Sequence, residues 1–265
     1  MKEAALAAGL PVLQPPRLRD PGWAERLATF AADLAVVVAF GQILPKAVLD
    51  APARGSINIH ASLLPRYRGA APIQWAIIRG ETETGITTFA MDPGMDTGDV
   101  LLARPTTIGA DETAGELSAR LARLGAEVIV ETLDRLATLT LTPTPQDHAA
   151  ATLAPRLKKG DGAIDWRRPA RDLVNLARGC NPWPGATAQA AGGALTIWRA
   201  RAVGGAARGA PGTLVAHEGA LAVATGEGLL LPVEVQPENR RAMPWADYLH
   251  GVRLAAGARL GPGAS

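Results

Sequence analysis

The chain has 265 residues, 48% hydrophobic and 20% charged, enough for one large or two smaller domains, of which two are expected; its single cysteine, Cys180, excludes an internal disulfide. The sequence has no apolar run of about eighteen residues and no basic start followed by an apolar stretch, so a cytoplasmic protein without a membrane partner is expected. The net charge of +2 hides an asymmetry, with 13 Lys/Arg against 17 Asp/Glu in residues 1–150 and 14 against 8 in residues 151–265, which suits a polyanion at the C-terminal end or serves solubility alone.

In chain order, residues 22–31 predict a helix running up to the apolar LAVVVAF (34–40), which is β-branched and uninterrupted as a strand covered on both faces would be. GQILPKAVLD then gives a turn and a helix. SINIH (56–60) is a second strand, APIQWAIIRG (71–80) a helix closed by glycine, GITTFAM (85–91) a third strand and DVLLARPTTI (99–108) a fourth. Alternating strands and helices with short connections predict an α/β, Rossmann-like, mostly parallel sheet, with ligands at the strands' carboxyl ends.

An amphipathic helix over 113–136 closes this first domain, assigned to residues 1–137. Pro143, Pro145 and Pro155 make the following stretch extended, so 138–162 reads as a linker. Beyond it, RPARDLVNLARG predicts one helix. The segments ALTIWRARAV, GTLVA, ALAVAT and LLLPVEV predict short strands between glycine-rich turns, closing into a small OB-like β-barrel over 163–265. The GGAARGAP stretch (204–211) reads as an exposed loop, and no internal repeat is present.

Candidate chemistry concentrates in two places. Asn58 and His60 stand two apart on the SINIH strand, so both side chains project from one face while Ile57 and Ile59 pack on the other. The next residues, ASLLPRYRG, cannot continue a central strand, which puts the pair at a strand end where clefts open. A lone histidine there is more often structural, and needs an orienting partner to act in catalysis. MDPGMDTGD (91–99) offers one in Asp96, with Asp92 or Asp99 serving ordinary turn capping. Phosphate cradling is poorly supported, because this segment lacks the P-loop lysine and carries three acids. An amide donor, an imidazole and a carboxylate suit acyl transfer to an amine without a covalent enzyme intermediate, and four scattered histidines with one thiol leave the mechanism metal-free.

At these residues the sequence resembles a known family. AFGQILPKAVLD, NIHASLLPRYRGAAPIQWAI, ETGITTFAMDPGMDTGDVLL and RGCNPWPGA are all similar to segments of the methionyl-tRNA formyltransferases, a branch of the folate-dependent formyltransferases. The resemblance implies 10-formyltetrahydrofolate as donor and the α-amino group of initiator methionyl-tRNA as acceptor. It implies that Asn58 and His60 polarise the formyl oxygen, that Asp96 orients His60 and assists proton movement, and that Ser62, Leu63, Leu64 and Pro65 line the folate site. Phe40, Ile43 and Leu44 fit either a pterin wall or plain core. In the C-terminal part, Trp166 and Trp198 lie among Arg167, Arg168, Arg178, Arg199 and Arg201, a mixture suited to RNA, whereas Trp183 between two prolines reads as core.

Members of that family begin with a βαβ unit, so the chain is expected to lack roughly 45 residues, somewhat more than one minimal repeat, and to leave strand edges and apolar faces open. Rival readings are a formyltransferase acting on a sugar nucleotide or purine precursor, a hydrolase of the formyl donor, and a catalytically impaired RNA-binding protein. A monomer is expected.

Overall fold

The computed structural model describes residues 1–205 and 209–263. Two short helices, α1 (Lys2–Ala7) and α2 (Trp23–Ala28), precede β1 (Ala35–Val37), α3 (Lys46–Leu49), β2 (Ser56–His60), α4 (Pro72–Ile78), β3 (Glu83–Ala90), β4 (Val100–Thr107) and the long α5 (Ala114–Ala137). The four strands form one sheet in the order β1-β2-β3-β4. No helix among the described residues is long and apolar enough to cross a membrane.

The sheet is mixed. β1 and β2 are parallel, with Val37 opposite Asn58, whereas β2 with β3 and β3 with β4 are antiparallel. Parallel pairing, expected for most of the sheet, is confined among these strands to β1 and β2, because the 61–82 connection brings β3 back beside β2 in the opposite direction and the 91–99 loop turns β3 straight back into β4. The expectation that 34–40 is covered on both faces also needs correction. The strand there is only three residues long and pairs on one side alone, leaving Val36 43% and Val38 40% exposed. With one neighbour, such a strand lies at the rim of the sheet.

α5 fixes which face of the sheet is dry. Its start is set by a capping box, in which Thr113 accepts from the Glu116 N–H and Glu116 accepts from the Thr113 N–H. The Thr113 backbone N–H, followed by the Arg199 guanidinium, holds the Glu116 carboxyl down at about 2. Leu117, Leu121, Gly125, Val128 and Thr132 recur at intervals of three and four and form the buried stripe. A side chain at Gly125 would meet Ile59 at 3.3 Å, so glycine lets the helix approach β2 closely. Since Ile59 faces α5, alternation along β2 sends Asn58 and His60 to the other side.

After α5 the chain runs through 138–162 with only two single-turn helices, at His148–Ala150 and Lys159–Gly162. It does not hang free. Thr144 exchanges two 2.8 Å backbone bonds with Val100, and Ala154 pairs with Arg68 and Ala71. The C-terminal part then contains α6 (Ala170–Gly179), β5 (Ala186–Ala190), β6 (Gly193–Val203), β7 (Leu214–His217), β8 (Ala220–Ala224), β9 (Leu229–Pro237), β10 (Met243–Pro244) and α7 (Trp245–Val252). The strand order is β5-β6-β9-β8-β7, with β10 beside β9.

The two rims of this sheet are joined by the last described segment. Leu214 accepts from Gly257 and donates to Ala258, Gly212 accepts from Leu260, and Gln189 on β5 exchanges two bonds with Gly261. Residues 257–263 therefore close the barrel that the sequence predicts, as an irregular strand made largely of alanine, glycine and proline. The predicted loop at 204–211 falls partly on 206–208, outside the described residues.

The two parts share a core. Ala71, Trp75 and Ile78 of the α4 region pack with Leu173, Leu176 and Ala177 of α6, and a side chain at Gly179 would lie 2.5 Å from Ile78. Arg178 donates across the junction to the carbonyls of Gly109 and Glu112. Cys180 ends α6 with no exposure, and burial pushes its thiol up to about 12. The thiolate is the reactive form, so Cys180 should resist a disulfide reagent in the native protein and react only on unfolding. Rapid labelling of the folded chain would contradict this packing.

Candidate active site

His60, the last residue of β2, is 6% exposed. Its Nε2 lies 2.8 Å from the Tyr67 carbonyl oxygen, which can only accept, so the ring carries a proton on Nε2 and turns Nδ1 the other way. Nδ1 stands 3.7 Å from Asp96 Oδ2, and Phe89 closes one side edge-on at 6.4 Å between centroids. The partner that fixes the ring is thus a backbone carbonyl, while Asp96 supplies charge at ion-pair distance. Asn58 sits half-buried on the same face of β2, opposite Phe89 in register.

Asp96 adopts φ 56°, the left-handed region that non-glycine residues avoid. Its Oδ2 also accepts from the Gly69 N–H at 2.7 Å, so the carboxylate joins the 91–99 loop to the one that follows β2. Asp92 instead caps its own turn, accepting from the Gly94 N–H and the Thr97 hydroxyl, as turn chemistry predicts for one of these acids.

Residues 61–69 wrap the histidine. Ser62 is fully buried and donates to the Arg66 carbonyl, so its side chain shapes the loop from within. Thr87 of β3 holds the same turn, donating to Ser62 O and accepting from Leu64 N. Leu63, Leu64 and Pro65 are half-buried, and Leu63 lies over Gly85. Because β1 and β2 are parallel, the residues after β1 reach the same end of the sheet as His60. There Phe40 is 41% and Ile43 92% exposed, with Leu44 half-buried, which rules out a plain core role for Ile43.

Several partners escaped the sequence reading. Two guanidinium groups lie over the Tyr67 ring, Arg66 at 5.5 Å and Arg79 at 5.2 Å, and Arg79 also covers Trp75 at 5.4 Å. Burial, and then the bond from its hydroxyl to Glu81, push the Tyr67 phenol up. Arg68 is buried and bonds Gln146 and His148, and Gln146 in turn reaches Asp96 O and Gly98 O. The RGxxP and PQD strings in which they lie carry no spacing signal that would have singled them out.

The tryptophans sort differently from expectation. Trp166 is buried, donating to Gly261 O, and serves the barrel core. Trp183, read as core, is 53% exposed, because the chain turns outward between Asn181 and Gly185. Trp198 is half-buried and donates to Gln236.

Comparison with known proteins places these features. Residues 2–133 match the formyl transferase family and residues 156–253 match the formyl transferase C-terminal domain. The methionyl-tRNA formyltransferase of Solibacter usitatus is 51% identical over 263 residues, covering 99% of this chain and 84% of that protein. That of Pelobacter propionicus is 50% identical over 266 residues, covering 100% and 83%. Among solved structures, the sugar 3N-formyl transferase WlaRD superposes with a TM-score of 0.66 at 16% identity, over 91% of this chain and 82% of that one. HypX from Aquifex aeolicus in complex with tetrahydrofolic acid gives 0.63 at 21%, over 85% of this chain and 39% of that one. These two likenesses establish the fold, and the sequence matches establish the lineage: the chain belongs to the methionyl-tRNA formyltransferase family.

Proposed function

We propose that the protein transfers the formyl group of 10-formyltetrahydrofolate to the α-amino group of methionine on initiator tRNA, in the cytoplasm, for translation initiation. The observation that carries this reading at the site is a buried imidazole whose Nε2 is committed to a carbonyl, leaving Nδ1 facing Asp96 on the side where Asn58 also projects. An α-amino group titrates near 7.7–8.0, so a useful fraction is neutral at physiological pH and the oxyanion is the harder problem.

The amine nitrogen attacks the formyl carbon, and the carbonyl electron pair moves to oxygen. Asn58 donates its amide N–H to that oxyanion. His60 Nδ1 takes the proton released by the attacking nitrogen and, as Nδ1–H, donates to the oxyanion or passes the proton to N10 as the C–N10 bond breaks. The products are formylmethionyl-tRNA and tetrahydrofolate. Asp96 stabilises the imidazolium across 3.7 Å. Leu63, Leu64 and Pro65, on a turn set from inside by Ser62, form the folate-facing wall in this reading, and no metal takes part.

We assign residues 1–137 to catalysis, 138–162 to the linker and 163–265 to the tRNA-binding barrel. Support for an RNA partner comes from the basic C-terminal half, from exposed Trp183, and from Arg66 and Arg79 beside the loop that holds His60. The protein acts as a monomer in this reading.

The test is transfer of labelled formyl to methionyl-initiator tRNA, with free methionine and an amino-sugar nucleotide as alternative acceptors. The tRNA alone should be formylated, and Asp96→Asn should lower kcat about a hundredfold. Formylation of the sugar nucleotide, or release of formate without acceptor, would overturn the assignment.

A further inference from the structure

Gln146 belongs to the stretch between the two domains, yet it is 7% exposed and its carboxamide is saturated. Oε1 accepts from Arg68 Nε at 3.1 Å and Nη2 at 2.6 Å, while Nε2 donates to Asp96 O at 3.0 Å and Gly98 O at 2.7 Å. A guanidinium only donates, so Arg68 dictates which end of the amide faces the Asp96 loop. Arg68 is itself buried, and its Nη2 also meets His148 Nδ1 at 3.1 Å.

The segment bearing Gln146 is pinned independently on both sides. Thr144 pairs with Val100, and Thr152 and Ala154 pair with Arg68 through the backbone. Between these anchors, the Gln146 amide grips the carbonyl of Asp96, a residue held at φ 56°, and that of Gly98 two residues on. Left-handed backbone at a non-glycine residue persists only where its surroundings hold it.

We propose that Gln146, oriented by Arg68, is a positioning residue for the transfer reaction. It locks the Asp96 backbone in the conformation that sets the carboxylate 3.7 Å from His60 Nδ1 and 2.7 Å from Gly69 N, so that the interdomain stretch completes the active site. The inference rests on the reading of Asp96 as a catalytic residue.

Gln146→Glu tests it in the full chain. The carboxylate is isosteric and still accepts from Arg68, but it turns an oxygen in place of a donor toward the two carbonyls. The expected result is a fall in kcat of about tenfold or more, with KM for the formyl donor and for the tRNA unchanged within about twofold and the thermal midpoint kept. If this variant does not fold, Arg68→Lys, which keeps the charge but loses the fork, must lower kcat with the same KM pattern. Parental kcat, or a loss that appears only as raised KM or a lowered midpoint, would overturn the proposal. Asp96→Asn separates the two levels: if that variant is active, the reading of Asp96 fails, and if it is inactive while Gln146→Glu is fully active, only the role of Gln146 fails.

Discussion

His60→Ala should lower kcat for formyl transfer by roughly 10²–10⁴, and Asn58→Ala by about 10²–10³, with little change in KM for the tRNA. In the proposed mechanism neither side chain has anything to offer the substrate until charge develops, so the losses fall on kcat. The Asn58 amide is worth most to an oxyanion, and His60 Nδ1 to a nitrogen that has just become cationic. Removing the imidazole deletes the acceptor for that proton and leaves the Tyr67 carbonyl and the Asp96 carboxylate facing a cavity. Single-turnover transfer of labelled formyl to saturating methionyl-tRNA separates chemistry from binding. A His60→Ala variant within about threefold of the parent would mean that the imidazole is structural, the ordinary condition of a buried strand-end histidine. Combining the two substitutions gives less than the product of the single losses if both act on one transition state.

How much of this was legible in the sequence depended on the range of the interaction. Alternation along SINIH is local, so the shared face of Asn58 and His60 could be read directly, as could the amphipathic stripe of the long helix over 113–136. Pairing direction is not local. β2, β3 and β4 look alike in composition whether they run parallel or antiparallel, and only the paths of the connections, 61–82 between β2 and β3 and 91–99 between β3 and β4, decide. The closing strand at 257–263 escaped because its three glycines, one proline and one alanine carry no β signal, its place being set by two open sheet rims. Gln146 and Arg68 escaped for the same reason, since 78 residues separate them and neither lies in a recognisable spacing. Even the orientation of His60 depends on the Tyr67 carbonyl, a group every residue possesses.

Gly69→Ala should damage both the fold and the proposed site, because a single methyl group there strikes the backbone of the interdomain stretch and the donor that meets Asp96. Gly69 has φ 119°, a conformation that L residues rarely adopt, and an added Cβ would lie 2.7 Å from the Ala154 carbonyl oxygen. That oxygen accepts from Ala71 N, and Ala154 N donates to Arg68 O at 2.7 Å, so the neighbour is pinned backbone that cannot swing aside. Strain and overpacking together should cost about 2–4 kcal/mol, a large share of a typical domain's stability. The catalytic cost is separate. Gly69 N is the donor that meets Asp96 Oδ2 at 2.7 Å, and a shift of that peptide by about 1 Å would move the carboxylate away from His60 and lower kcat on the order of a hundredfold. Denaturant unfolding and formyl transfer measured on the same preparation test both parts. Gly192→Ala is the control, since no atom lies within 4 Å of its added Cβ, and it should leave stability and turnover unaltered. If Gly69→Ala behaves like that control, the loop tolerates the displacement and the Gly69 bond does not set the position of Asp96. If stability falls while kcat holds, the glycine serves the docking of the interdomain stretch alone.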